Sequence, residues 1–167
     1  LSDELKVLYL FEYAALYFNL ARSSFYNSKN IDTFLCKSDV LFQECINLYN
    51  NKSEYERFRL GELYHFKGLI AEMKDQPKPA IDYWHKSIAE KYDAQNNYYY
   101  AAPELIAKSY HKLADIEPEP EVAIDYYNKA LGFYDDADLQ HSMNDTSQES
   151  WREEYINCVK NYASKLF

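Results

Sequence analysis

The sequence predicts an all-α fold in which antiparallel helix pairs are stacked and closed by a C-terminal capping helix, about seven helices in total. Three observations lead there. The stretch Ala80-Ile81-Asp82-Tyr83-Trp84-His85-Lys86-Ser87-Ile88 returns as Ala123-Ile124-Asp125-Tyr126-Tyr127-Asn128-Lys129-Ala130-Leu131, a period of about 43 residues. A fainter copy lies one period earlier, with Ser38, Phe42, Cys45 and Ile46 in the places of Ala80, Trp84, Ser87 and Ile88. Helix breakers are scarce, with 3 Gly and 5 Pro in 167 residues, and apolar positions follow helical spacing between polar breaks.

The first helix, about 3–27, is expected to start at Ser2 or Asp3 as cap. From Val7 to Leu20 its clearly polar positions are Glu12 and Asn19. Lys6, Glu12, Asn19 and Arg22 interrupt it too often for a membrane span, which needs about 20 apolar residues. A helix apolar on nearly all sides is instead one covered on two faces, by its own array, by a further segment or by a second subunit. Asn27-Ser28-Lys29-Asn30 is a polar break. A second helix, about 32–50, carries Leu35, Val40, Leu41, Cys45, Ile46 and Tyr49 at helical spacing. Ser53 with Glu56 forms a capping box for a third helix, about 54–74. Pro77 or Pro79 opens a fourth, about 78–95, since proline is tolerated in a first turn. The fifth, about 98–115, contains Pro103, which either lies inside it or marks its first turn. After Glu117-Pro118-Glu119-Pro120 a sixth helix runs to about 137, and 138–149 reads as polar and turn-rich. Ser150 with Glu153 is another capping box, opening a polar-faced capping helix over about 150–167. The pairs are thus about 3–50, 54–95 and 98–137, within a single domain spanning 1–167.

The composition narrows the function. The net charge of −9, from 18 basic and 27 acidic side chains with no basic cluster, argues against nucleic acid and against anionic membrane surfaces. It is compatible with a basic partner. Eighteen Tyr and 9 Phe are unusual: part of them must fill the space between helices, and any surplus at the surface favours protein contacts. Cys36, Cys45 and Cys158 are odd in number and lack metal spacing, so free thiols in a reducing, cytoplasmic compartment are expected. No secretory signal is visible, and a chain that opens on Leu1 is expected to be a piece of a longer protein.

The small–aromatic–small triplets Ser38/Phe42/Cys45, Ala80/Trp84/Ser87 and Ala123/Tyr127/Ala130 resemble the second helices of tetratricopeptide repeats. Ala15, Gly68 and Ser109 stand where that family has a small residue on the first helix of each pair. The period exceeds the family's usual length of about 34, so the resemblance is to its longer-helix members. It covers residues 5–137. It implies a right-handed superhelix whose first helices line a concave, peptide-binding face. The positions it assigns to that face are Tyr9, Glu12, Leu16, Asn19 and Leu20, then Glu62, His65, Leu69, Glu72 and Met73, then Ile106, Tyr110, Leu113 and Ala114. Members that grip a chaperone's C-terminal carboxylate use Lys, Arg and Asn. Here Glu12, Leu16, Phe66, Pro103 and Ala107 occupy those places, which argues against that ligand.

Catalytic signals are weak. His65 could share a face with Glu62 and Glu72, and His111 lies one turn from Asp115, but neither set has a metalloprotease-like spacing. No nucleophile motif and no Gly-rich phosphate loop occurs. The acidic runs Asp115, Glu117, Glu119, Glu121, Asp125 and Asp135, Asp136, Asp138, Asp145, Glu149 read as solvated edges or as docking edges for a basic partner. The expected function is therefore a non-enzymatic adaptor or scaffold that binds a protein segment, with no cofactor and no metal. Two alternatives are a homodimerisation module built on the apolar first helix and a regulatory peptide-sensing domain of a larger protein.

Overall fold

A computed structural model describes residues 3–23, 28–50, 60–91, 103–144 and 150–166. Those residues form seven α-helices and no strand, an all-α fold. They are α1 (Asp3–Arg22), α2 (Ser28–Asn50), α3 (Leu60–Met73), α4 (Pro77–Lys91), α5 (Pro103–Ile116), α6 (Pro120–Asn144) and α7 (Ser150–Leu166). The chain divides into two compact units, Leu1–Tyr83 and Trp84–Phe167, with the division inside α4.

In the first unit α1 buries Val7, Phe11, Ala14, Phe18 and Ala21, one stripe of helical period, against Leu35, Phe42, Cys45, Ile46 and Tyr49 of α2 and Leu60, Leu63 and Ile70 of α3. The helices run antiparallel. Ser38 Oγ donates to the Ala14 carbonyl at 2.8 Å, and one stretch further along α2 Cys45 Sγ lies 3.7 Å from the carbonyl of Val7, nearer the start of α1. The close crossing on α1 is therefore at Ala14, which is fully buried, and not at Ala15, which is half-buried. Phe42 sits edge-on to Phe11 (5.7 Å between centroids) and stacks on Phe66 of α3 (5.0 Å). The α3–α4 turn is a Schellman cap: Gln76 N–H reaches the Ala71 carbonyl and Asp75 N–H the Glu72 carbonyl, both at 2.9 Å. Asp75 takes the left-handed conformation there (φ 54°), which glycine would adopt without strain.

In the second unit α5 and α6 are antiparallel, since Tyr127 meets Asp115 while Phe133, further along α6, stacks on Tyr110 at 5.9 Å. α7 returns along α6, with Tyr155 edge-on to Tyr134 and Tyr162 beside Tyr127. From α4, Ser87 Oγ lies 3.2 Å from Ser109 Oγ. All nine residues of the small–aromatic–small triplets are at most 1% exposed. Phe42 and Tyr127 hold matching places, each between a ring of its pair's first helix (Phe11, His111) and a ring of the helix that follows (Phe66, Tyr162). Trp84 is fully buried too, and its indole N–H has no hydrogen-bond partner among the described residues.

Several boundaries differ from expectation. α2 begins at Ser28, inside the expected break, and α6 continues to Asn144 through a stretch expected to turn. The described part of α5 begins at Pro103. α7 exposes Arg152, Glu153, Asn157, Lys160 and Lys165, with the apolar Ile156, Val159 and Leu166 among them. The expected Ser53–Glu56 capping box and the starts of the third and fifth helices at 54 and 98 lie outside the described residues.

Candidate functional site

α1 has two apolar sides. Opposite its buried stripe lie Leu5, Leu8, Tyr9, Tyr13 and Leu16, each 47–58% exposed, with Glu12 and Asn19 also exposed. Leu5, Tyr9, Glu12, Leu16 and Asn19 follow the alternating four–three spacing of a helix–helix seam. The sequence cause is plain. A helix whose two faces are both apolar can place only one of them against α2, and the other is left at the surface. A contiguous apolar face of this kind marks a docking site more often than scattered single residues do.

The fourteen positions expected on a binding face have divergent surroundings. On α1, Tyr9, Glu12, Leu16 and Asn19 are exposed and Leu20 is half-buried. On α3, Glu72 and Met73 are exposed, Glu62 and Leu69 half-buried, and His65 buried beside the Phe66 ring. On α5, Ile106, Tyr110, Leu113 and Ala114 are all buried in the second unit. The Tyr110 ring lies between Phe133 and Tyr126, with Lys129 Nζ 5.8 Å from its centroid. A partner reaching the α5 positions would have to displace those groups. Leu5, Leu8 and Tyr13 were not among the expected positions. Their signal was the all-round apolarity of the first helix, which called for a second cover.

The polar groups of the second unit serve its own packing. Asp115 Oδ1 accepts from Tyr127 Oη at 2.8 Å and from Asn161 Nδ2 at 2.9 Å, and His111 Nε2 lies 3.6 Å away. Burial holds the His111 pKa below its ordinary value, against the pull of Asp115, so the ring is neutral near pH 7. Burial, helped by the Asp115 charge, pushes the Cys158 thiol up to about 12, far from a reactive thiolate. Burial first, and then the hydrogen bond and charge of Asp115, raise the Tyr127 phenol above its usual range. Asp125 is paired with Lys129 at 2.6 Å, so this acidic edge is partly neutralised by its own helix. Asp145 and Glu149 of the second acidic run lie outside the described residues.

In the first unit, Lys67 is buried and ion-paired with Asp39, whose other oxygen is 3.0 Å from Lys74 Nζ. The Lys67 ammonium also lies 5.4 Å from the centroid of Tyr83. Two cations on one carboxylate hold Asp39 below the usual carboxylate range although burial alone would raise it. The triad clamps α2 to α3, and its spare cationic character is screened by the Tyr83 face.

Among the described residues no group of three or more His, Cys, Asp or Glu could hold a metal ion, and no helix is long and apolar enough to cross a membrane. No protein-family model, no curated protein and no solved structure matches the chain.

Proposed function

We propose that this chain is a protein–protein interaction module, an adaptor or scaffold of tetratricopeptide-like helix pairs, that takes an apolar segment of a partner protein on the outer face of α1. The observation that carries the reading is the exposed row Leu5, Leu8, Tyr9, Tyr13 and Leu16. Covering one such side chain stabilises a complex by roughly 2 kcal/mol before the losses of association are counted. Tyrosines suit such a face because the ring is apolar and rigid while the hydroxyl stays wet. Glu12 within the row, and the acidic chain as a whole, favour a segment whose apolar anchors are flanked by basic residues. Buried, hydrogen-bonded histidine and a thiol pushed far from ionisation support a binding role over a catalytic one. Three free cysteines suit a reducing compartment, so the reading places the module in the cytoplasm.

The test is selection of a displayed peptide library on the intact chain. Recovered peptides should bear apolar anchors at helical spacing and lose binding to Leu16→Glu, with the helical content of that variant unchanged. Peptides indifferent to Leu16→Glu and to Tyr9→Glu would remove α1 as the docking face.

A further inference from the structure

The α1 row has an internal symmetry that narrows its occupant. A second helix laid antiparallel on it, about a two-fold axis between Glu12 and Tyr13, would set Leu5 against Leu20, Tyr9 against Leu16, Glu12 against Tyr13 and Lys6 against Asn19. Leu5, Tyr9 and Leu16 then each meet an apolar residue, Tyr13 meets Glu12, and no charge is set against its like. Each Tyr13 hydroxyl would face a Glu12 carboxylate, a charge-assisted donor–acceptor pair formed twice. A parallel pair would set Glu12 against Glu12, which is unfavourable. Self-complementarity of this kind is what a two-fold interface between identical chains requires, since one patch must serve as both partners.

The area is adequate. The five large apolar side chains expose on the order of 500 Å² in one copy, taking a side chain of this size as roughly 200 Å². Two copies would bury at most about 1,000 Å² from these residues, and Glu12, Asn19 and Leu20 add to that, which puts the total around the threshold for a specific interface.

Building on the reading of α1 as a docking face, we propose that its occupant is α1 of a second copy, so that the chain is a homodimer through two antiparallel α1 helices. Sedimentation equilibrium of the 167-residue chain tests this. The wild type should show a concentration-dependent monomer–dimer equilibrium, and Leu16→Glu should weaken it by about tenfold or more, because a carboxylate then faces the partner's Tyr9. Leu16 is about half exposed (52%), so the variant should keep its helicity. In a Cys36→Ser background, Tyr9→Cys mixed with Leu16→Cys should form a disulfide-linked pair under mild oxidation, whereas neither variant should link to itself. A wild type that stays monomeric, a dimer untouched by Leu16→Glu, or Tyr9→Cys linking to itself would each overturn the proposal. Loss of displayed-peptide binding in Leu16→Glu with a monomeric wild type would overturn the dimer and leave the docking face standing. Indifference in both experiments would remove both.

Discussion

Lys67 and Asp39 make a thermodynamic asymmetry that can be measured. In Asp39→Asn the Lys67 ammonium, only 6% exposed, keeps its place with a neutral amide beside it and Lys74 nearby. Removing one partner of a fully buried pair costs about 3–5 kcal/mol, and the one-third exposure of Asp39 lowers that to about 2–3 kcal/mol. In Lys67→Met the charge disappears with its desolvation penalty, while an apolar chain of similar length still covers Tyr83. Asp39 then retains Lys74 and solvent, so the loss is about 1 kcal/mol or less. Urea melts followed by circular dichroism at pH 7 should therefore rank Asp39→Asn as clearly the less stable variant. Adding Lys67→Met to Asp39→Asn should recover most of the deficit. The pH dependence follows from the depressed Asp39 pKa. Its stabilisation is complete above the unfolded carboxylate value of about 4 and is lost as pH falls through the lower folded value. The gap between wild type and Asp39→Asn should close over that range. A Lys67→Met variant as damaged as Asp39→Asn, or an Asn variant within about 0.5 kcal/mol of wild type, would refute the account of a buried cation held by one carboxylate.

Asp75→Gly should raise stability by up to about 1 kcal/mol, seen as a higher melting temperature, because glycine takes the left-handed cap without the strain of a side chain. A reagent that reads thiols should find one fast-reacting cysteine in the native chain, Cys36, and all three after denaturation; fast reaction of Cys158 would contradict its burial and its raised pKa. The His111 pKa is lowered in the folded chain, so the unfolded chain binds more protons at mildly acidic pH. Stability should accordingly fall as pH drops below about 6.5, and His111→Gln should flatten that slope in acid melts.

The helical class and the three triplets were legible because each rests on a local pattern. A small residue, an aromatic four later and another small residue three after that lie on one side of a helix wherever that helix sits. Element ends were less legible for a physical reason. The stretch 138–144 is polar, which reads as a turn, but it contains neither Gly nor Pro. Ala130, Tyr134 and Ala137 keep α6 anchored up to its edge, and nothing stops the helix before Asn144. Ser28 to Asn30 likewise read as a break, although the apolar residues that follow extend helical spacing back to them.

The proposed binding face on α1 was the least legible feature, because it depends on which side of a first helix a neighbour covers. An alignment to a repeat pattern assigns the same side to α1, α3 and α5, yet those sides differ in what shields them. Over Tyr110 lie Tyr126 and Phe133 of α6. His65 is buried among groups of its own unit. On α1 Leu5, Tyr9 and Leu16 are 48%, 58% and 52% exposed. The aromatic surplus therefore has two physical outcomes in one chain. In the second unit it fills the space between α5 and α6. On α1 it remains at the surface, and an apolar row left there stabilises the molecule only when something apolar covers it. The adaptor reading and the two-fold pairing both follow from that imbalance, and both are decided by whether Leu16→Glu changes what the chain holds.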